Sequence, residues 1–508
     1  MEQGVLDNQI SAKWGTEAIA GDMQMSQKMI DWCLAELRYK AKIFSQTGAV
    51  SVYTGDVVKS DTVISPALQE ALKNGVAALE SVPEHCKDWH PGSDEKVLDL
   101  VHPSLFPLIY GRSRILPETR LGLEDCISLS GAGVIVPMPL HEEEVPGLRY
   151  WRRATISAPF SKNFQWLPCD VDISAGEGAA RITSYINNLH PEHHSDLYGI
   201  IEKIIARTIP LWNMTLTPLK SADVKVWYQR IAYKFCDYDP DPESWPETEG
   251  PQKQEDEDED AFLERRADWY EEQRNVVNIW KDYAETGIQV VIKLANIHLT
   301  PEKPEYEGGS WHVEGQLNEH ICASAIYYYD SENITSSRLA FRQQSNTRPR
   351  VSYEQDHHDW LEAVFGCSQN EPGVQDVGTV DTREGRLLTW PNVLQHQVQP
   401  FALADRTRPG HRKILALFLV DPSIRVISTA NIPCQQREWW SEAVRGGDSL
   451  LARLPKELQD LVFEQVEEFP IGLEEAKEVR ARLMDERRVF VRLNNEAFHQ
   501  YEFSLCEH

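Results

Sequence analysis

The hydrophobic pattern of the chain changes period at Gly287, and nothing else in the sequence constrains the fold as strongly. Ile288 to Thr300 is rich in β-branched residues. Ile321–Tyr329, Ser337–Arg342, Gly385–Trp390, His396–Phe401 and Arg412–Val420 repeat the pattern with turns or loops between them. Short strands in succession, without amphipathic helices to carry parallel crossovers, predict an antiparallel core.

The flanks read differently. Met29, Ile30, Cys33, Leu34 and Leu37 share one face of a helix over residues 25–40. Ser65-Pro66 is an N-cap followed by a proline at the first helical position, opening a helix that runs to Leu79. Residues 178–189 and 197–208 read as helices, the second stopped by Pro210, and 164–173 as extended. Residues 97–112 read as a buried connector broken by two prolines and a glycine. Residues 261–285, 451–469 and 473–489 carry helical periodicity. The predicted class is α+β. Residues 1–235 form a mainly helical region packed on the core, 239–260 an acidic, Pro-rich insertion, 261–430 the β core and 431–508 C-terminal helices.

Charge and cysteine usage narrow the function. With 508 residues and a formal net charge of −28, the surface repels phosphate backbones and anionic lipid, so neither nucleic acid nor a membrane is an expected partner. No apolar run approaches the roughly 18 residues of a membrane span. The start of the chain has no secretory character, and nine scattered cysteines include no C-x-x-C pair. Both point to a cytoplasmic, reducing setting. The oligomeric state is left open.

Chemistry concentrates in two stretches. His312-Val-Glu314 places an imidazole and a carboxylate two residues apart, on one face of an extended chain. Downstream, GRLLTWPNVLQHQVQPFALADRTRPGHRK supplies a second imidazole, His396, and then the cations Arg406, Arg408 and Arg412. Two imidazoles and one carboxylate leave open positions on an octahedral ion, as Fe(II) requires to hold a bidentate co-substrate and O2. A zinc hydrolase would use a similar set, but no H-E-x-x-H occurs. A β-barrel that binds a ligand or partner without turnover is the other alternative. His102, His298 and His320 read as structural, and His190, His193 and His194 as a solvated loop. Strand position adds Tyr327, Tyr329, Thr389, Arg342 and Asn296 as pocket candidates, with Arg342 suited to neutralising a substrate carboxylate or to a structural ion pair.

The order His312, Glu314, His396 and Gly410-x-Arg412 resembles the Fe(II)/2-oxoglutarate oxygenase superfamily. That resemblance implies a double-stranded β-helix, a jelly-roll or cupin-like core, wrapped by the terminal helices. It implies Fe(II) on His312, Glu314 and His396, and O2 and 2-oxoglutarate as co-substrates. Arg412 would anchor the far carboxylate, with Thr389 and Tyr327 beside the co-substrate and Arg342 and Tyr329 beside the substrate. Two departures stand out: Glu314 replaces the usual Asp, and Arg406 or Arg408 competes with Arg412 as anchor. More narrowly, VLDLVHPSLFPLIYGRSRIL, SYINNLHP, GGSWHVEGQLNEHICASAIYYYDSENITSSRLAFRQ and LTWPNVLQHQVQPF resemble the mostly fungal DUF4246 family over about residues 95 to 490. Through that family the resemblance implies a small-molecule substrate, such as an amino acid or a secondary-metabolite intermediate. Hydroxylation, desaturation or cyclisation, including aziridine formation, are the outcomes implied, and a peptide or protein hydroxylase is the variant left open.

Overall fold

A computed structural model describes residues 7–21, 25, 27–52, 56–139, 159–220, 251–258, 261–262, 265, 276–344, 362, 366–446, 450–466, 469–500 and 502. Most of the acidic insertion and nearly half of the predicted helix over 261–285 lie outside these residues.

Ten strands and three helices position the site. In chain order they are β1 (Val57–Ser60), α1 (Pro66–Glu80), β2 (Val97–Val101), β3 (Cys169–Asp172), α2 (Ser195–Lys220), β4 (Ile288–Leu299), β5 (Ile321–Glu332), β6 (Arg338–Gln344), β7 (Val374–Asp381), β8 (Leu387–Pro391), β9 (Gln395–Val398), β10 (Gly410–Val420) and α3 (Leu473–Gln500). Sheet pairing among them is antiparallel throughout. The large sheet runs β1-β8-β5-β10-β4-β3, with β2 also on β4, and a small sheet runs β7-β6-β9. From β4 onward the chain alternates between them. It leaves β4, passes beside β9 through a bridge between His312 and His396, and returns to the large sheet as β5. It then makes the β6–β7 pair, returns as β8, crosses as β9 and closes as β10. The result is a mixed α/β protein built on antiparallel sheets. Its sheet is not confined to the predicted core, since β1, β2 and β3 come from the N-terminal region.

The period-two alternation of the long strands separates two apolar layers. Val290, Ile292 and Leu294 of β4, Ala325 and Tyr327 of β5, and Leu415 and Leu417 of β10 face α2, whose Leu197, Ile201, Ile205 and Trp212 cover them. Val291, Ile326, Tyr328, Trp390, Ala416 and Phe418 face the other way. They meet Leu339 and Phe341 of the small sheet and Val479 and Leu483 of α3. Burying both faces explains why these strands read as nearly continuous apolar runs.

Three sequence expectations fail for physical reasons. α2 continues through Pro210 and Pro218, because its apolar stripe (Ile204, Ile209, Trp212) carries on across them and packing outweighs the lost backbone bonds. Residues 178–189 are not helical. Arg181–Ile182 pairs with β3, and Ser184 and Glu202 take the N–H groups of Asp170 and Ile182. Among the described residues α-helix is confined to Lys456–Glu464 within the predicted 451–469, after a 3-10 turn at Leu451–Arg453, while the following helix, α3, extends past the expected Val489 to Gln500. The Ser65 cap is present, its Oγ accepting the Leu68 N–H at 3.3 Å. No helix of the described residues is long and apolar enough to cross a membrane.

Candidate metal centre

The passage before β5 lies hard against β9. A Cβ on Gly308, at φ +92°, would sit 2.8 Å from the Val398 carbonyl oxygen, so only glycine permits the approach. His312 and His396 then exchange backbone hydrogen bonds of 3.2 and 2.9 Å. This exchange brings two imidazoles far apart in sequence to a ring separation of 4.3 Å. Asn392, in the turn after β8, fixes Glu314. Its Oδ1 accepts the Glu314 N–H at 2.8 Å, and its Nδ2 donates to the carbonyls of Glu314 and Ile321. Gly315, at φ +68°, turns the chain over the Glu319 side chain. The buried Glu319 carboxylate accepts the N–H groups of Gln316 and Trp166 and pairs with Arg487 of α3. The HVEGQLNEH run is therefore a candidate metal-ligand pair followed by its own structural clamp.

Glu314 Oε1 lies 3.2 Å from His396 Nε2 and 3.8 Å from His312 Nε2. Burial disfavours the Glu314 carboxylate, but the His396 hydrogen bond and the nearby imidazoles outweigh it and hold the carboxyl down at about 2. Burial, reinforced by His396, brings His312 down to about 4. At neutral pH Glu314 is ionised and His312 neutral, the forms that ligate a cation. His312 Nδ1 lies 2.8 Å from the Ser310 carbonyl. That oxygen only accepts, so the proton sits on Nδ1 and the Nε2 lone pair is free to face Glu314 and His396. Trp390 packs on His396 at 4.9 Å, and Phe341 on Trp390 at 5.5 Å, closing the apolar side.

Two other groups of described residues bring two imidazoles and a carboxylate within 4.8 Å of one another: His90, Asp99 and His102, and His190, His193 and Glu442. Their hydrogen bonds run the opposite way. His102 Nδ1 accepts the Ser104 N–H at 3.2 Å, and His190 Nδ1 accepts N–H groups of Glu192 and His193. Each proton is thereby forced onto Nε2, which leaves no lone pair for a metal there. His190 is nonetheless buried and stacked on His193 at 3.8 Å, not solvated as its sequence suggests.

Of the three arginines near β10, Arg406 pairs with Glu305 and Arg408 with Asp405 at the exposed surface. Arg412 is 2% exposed. Its Nη1 donates to Ser337 Oγ at 2.5 Å, with Thr382 Oγ1 at 3.4 Å, and its plane lies over Phe401 and Tyr328. Among the described residues its Nε has no hydrogen-bond partner and no carboxylate forms an ion pair with it. A buried guanidinium with no counter-ion is a receptor for an anion.

The remaining predicted residues face elsewhere. Tyr327, Tyr329 and Thr389 point into the helical layer: Thr389 Oγ1 bonds Thr215 of α2 at 2.8 Å, and Tyr329 bonds Asn296. The alternation was legible, but which face would be covered by helices was not. Their sequence neighbours Tyr328 and Trp390 occupy the inner face instead. Arg342, one residue past the inward Phe341, is bound by Gln395 and by Asn495 of α3 and lies over Trp311. It braces the ligand-bearing segments and does not face the inner layer. Asn392, Trp390, Ser337 and Thr382 escaped notice as single residues, although the LTWPN run already carried two of them.

The family model described as a protein of unknown function (DUF4246) matches residues 27–443. The chain belongs to that family. α3 lies beyond the matched residues, yet holds Glu319 and Arg342. No curated protein matches the chain. Solved structures similar to parts of it include IDO from Bacillus thuringiensis, at 10% identity over 30% of this chain and 50% of that one, with a TM-score of 0.18. The Fe(II)/(alpha)ketoglutarate-dependent dioxygenase TqaL is 11% identical over 72% and 95%, with a TM-score of 0.25. Procruciferin, an 11S globulin from Brassica napus, is 12% identical over 38% and 31%, with a TM-score of 0.13. The chain thus spans half the length of the first of these structures. At such scores the likenesses carry no weight for the chemistry, which rests on the site itself.

Proposed function

We propose that this chain is a non-haem Fe(II)- and 2-oxoglutarate-dependent oxygenase acting on a small molecule. The observation that carries the proposal is the convergence of His312, Glu314 and His396, with the outer nitrogen of His312 turned to a carbonyl so that its inner lone pair is free. The alternation of the chain between two antiparallel sheets supports reading the core as a double-stranded β-helix. Residues 261–430 supply that winding and form the catalytic core.

The donor set fits the metal: one ionised carboxylate and two imidazoles, with positions left open. When bound, Fe(II) with 2-oxoglutarate and O2 supplies the oxidising chemistry, and the co-substrate leaves as succinate and CO2. The chain's own part is placement. His312, Glu314 and His396 hold the ion, and Asn392 keeps Glu314 aimed at it. Arg412, held by Ser337, receives the distal carboxylate of 2-oxoglutarate. Trp390, Phe341 and Tyr328 line the space between and exclude water. The substrate C–H bond then sets the outcome: hydroxylation, desaturation or cyclisation. The free thiols of the described cysteines are in keeping with a cytoplasmic setting.

The test is direct. Protein reconstituted anaerobically with Fe(II) should bind 2-oxoglutarate, and on admitting air with ascorbate it should release succinate. Neither binding nor succinate release from metal-loaded protein would overturn the proposal.

A further inference from the structure

Lys293 lies in the middle of β4, between Ile292 and Leu294, which face α2. By strand alternation its own side chain enters the opposite layer, with Val291. There its charge acts on His312 and Glu314, and also on Asp99 and His102 across the layer. The side chain is half-buried and makes no hydrogen bond or ion pair with the described residues. Neither nearby carboxylate, Asp99 nor Glu314, forms an ion pair with it among the described residues, although Asp99 Oδ1 has no hydrogen-bond partner. Asp99 binds His90 at 2.7 Å and has Arg480 at 3.8 Å, while Glu314 faces the two imidazoles. An ammonium held at a site without a counter-ion is costly unless a ligand supplies one.

Lys293 is paired with Ala416 on β10, and Arg412 stands four positions along the same face of that strand, roughly 13 Å away at the usual strand rise. Two unpaired cations thus face one inter-sheet space. Arg412 is sealed among aromatic rings. Lys293 is a point charge on a flexible stem, suited to a ligand that enters and leaves.

We infer that Lys293 is the receptor for a carboxylate of the organic substrate, so that the substrate is a small carboxylic acid and not a neutral molecule. The inference rests on the oxygenase reading, with Arg412 occupied by the co-substrate.

Protein loaded with Mn(II) in place of iron and saturated with 2-oxoglutarate is titrated calorimetrically with L-amino acids and small aliphatic carboxylic acids, each beside its neutral amide. At least one acid should bind the wild-type protein about tenfold or more tightly than its amide. Lys293→Ala should erase that preference while leaving 2-oxoglutarate affinity within about twofold, and Lys293→Arg should restore part of it. Three results would overturn the inference: no preference for any acid over its amide, a preference that survives Lys293→Ala, or loss of 2-oxoglutarate binding in that variant, which would make Lys293 the co-substrate anchor. Failure of the wild-type protein to bind Mn(II) or 2-oxoglutarate at all would instead overturn the oxygenase reading. Circular dichroism and the melting temperature of Lys293→Ala separate a binding defect from a folding defect.

Discussion

His312, Glu314 and His396 on one side, and His90, Asp99 and His102 on the other, have the same composition and nearly the same compactness. They differ in one imidazole each, His312 and His102; of the others, His396 Nδ1 has no hydrogen-bond partner among the described residues and His90 Nδ1 lies 2.7 Å from Asp99. His312 gives its Nδ1 proton to a carbonyl, and His102 takes a backbone proton on Nδ1. The first arrangement leaves a lone pair pointing inward, the second a proton. Their carboxylates differ as well. Asp99 bonds His90 and has Arg480, itself paired with Asp88, at 3.8 Å, whereas Glu314 has only imidazoles around Oε1. The second cluster is a largely paired polar network, with Asp99 Oδ1 left over, and the first is the candidate site for a cation. A pattern of residue types therefore does not define a metal site; the direction of the surrounding hydrogen bonds does.

The largest contrast is expected from removing each carboxylate. Glu314→Ala should lower metal affinity by about 100-fold or more with little loss of stability, since two ligands and the inner-layer packing remain. Asp99→Ala should keep full metal stoichiometry but cost about 1–3 kcal/mol of stability, because the buried partner of His90 is lost, while Arg480 keeps its pairing with Asp88. Metal analysis after dialysis and thermal melts read the two effects, and metal loss in Asp99→Ala would erase the distinction between the clusters.

Arg412→Ala should weaken 2-oxoglutarate binding by about 30-fold or more while metal content stays unchanged, because it removes the charged partner of a buried anion. Retention of co-substrate affinity, measured calorimetrically with Mn(II) present, would place the anchor elsewhere. A smaller effect is expected for Asn392→Ala. Glu314 would stay in place but lose the two backbone bonds that aim it, lowering metal affinity by about tenfold.

The smallest effect is a slope. Burial holds His102 well below the ordinary imidazole value, with Asp99 opposing. Between that ordinary value of about 6.5 and its folded value, the unfolded chain binds a proton that the folded chain refuses. Stability present above about pH 6.5 is thus progressively lost on acidification, by up to about 1.4 kcal/mol per pH unit for one proton. His102→Gln should flatten the pH dependence of the melting temperature between pH 6.5 and 5. An unchanged slope would show that His102 already carries its proton when folded.

Much of this was legible in the chain. Each predicted strand from Ile288 to Val420 forms, because a strand buried on both faces must be apolar throughout and β-branched residues suit it. His312, Glu314 and His396 were legible as a candidate ligand set, and the structure brings them together. The helix through Pro210 was not, because its continuation depends on the sheet it covers. The inward placement of Lys293 was equally hidden, since alternation assigns residues to two faces without saying which face encloses the site.

Local chemistry is carried by the chain itself: the strand period, the Ser65 cap, the spacing of His312 and Glu314. These depend on neighbours within a few residues, and covalent geometry keeps them fixed. Tertiary structure decided the rest. It placed Tyr328 rather than Tyr327 inside, sealed Arg412 while exposing Arg406 and Arg408, and set the Ser310 carbonyl against His312 and the Ser104 N–H against His102. Those choices depend on which surfaces meet when the sheets close, and no local pattern encodes that.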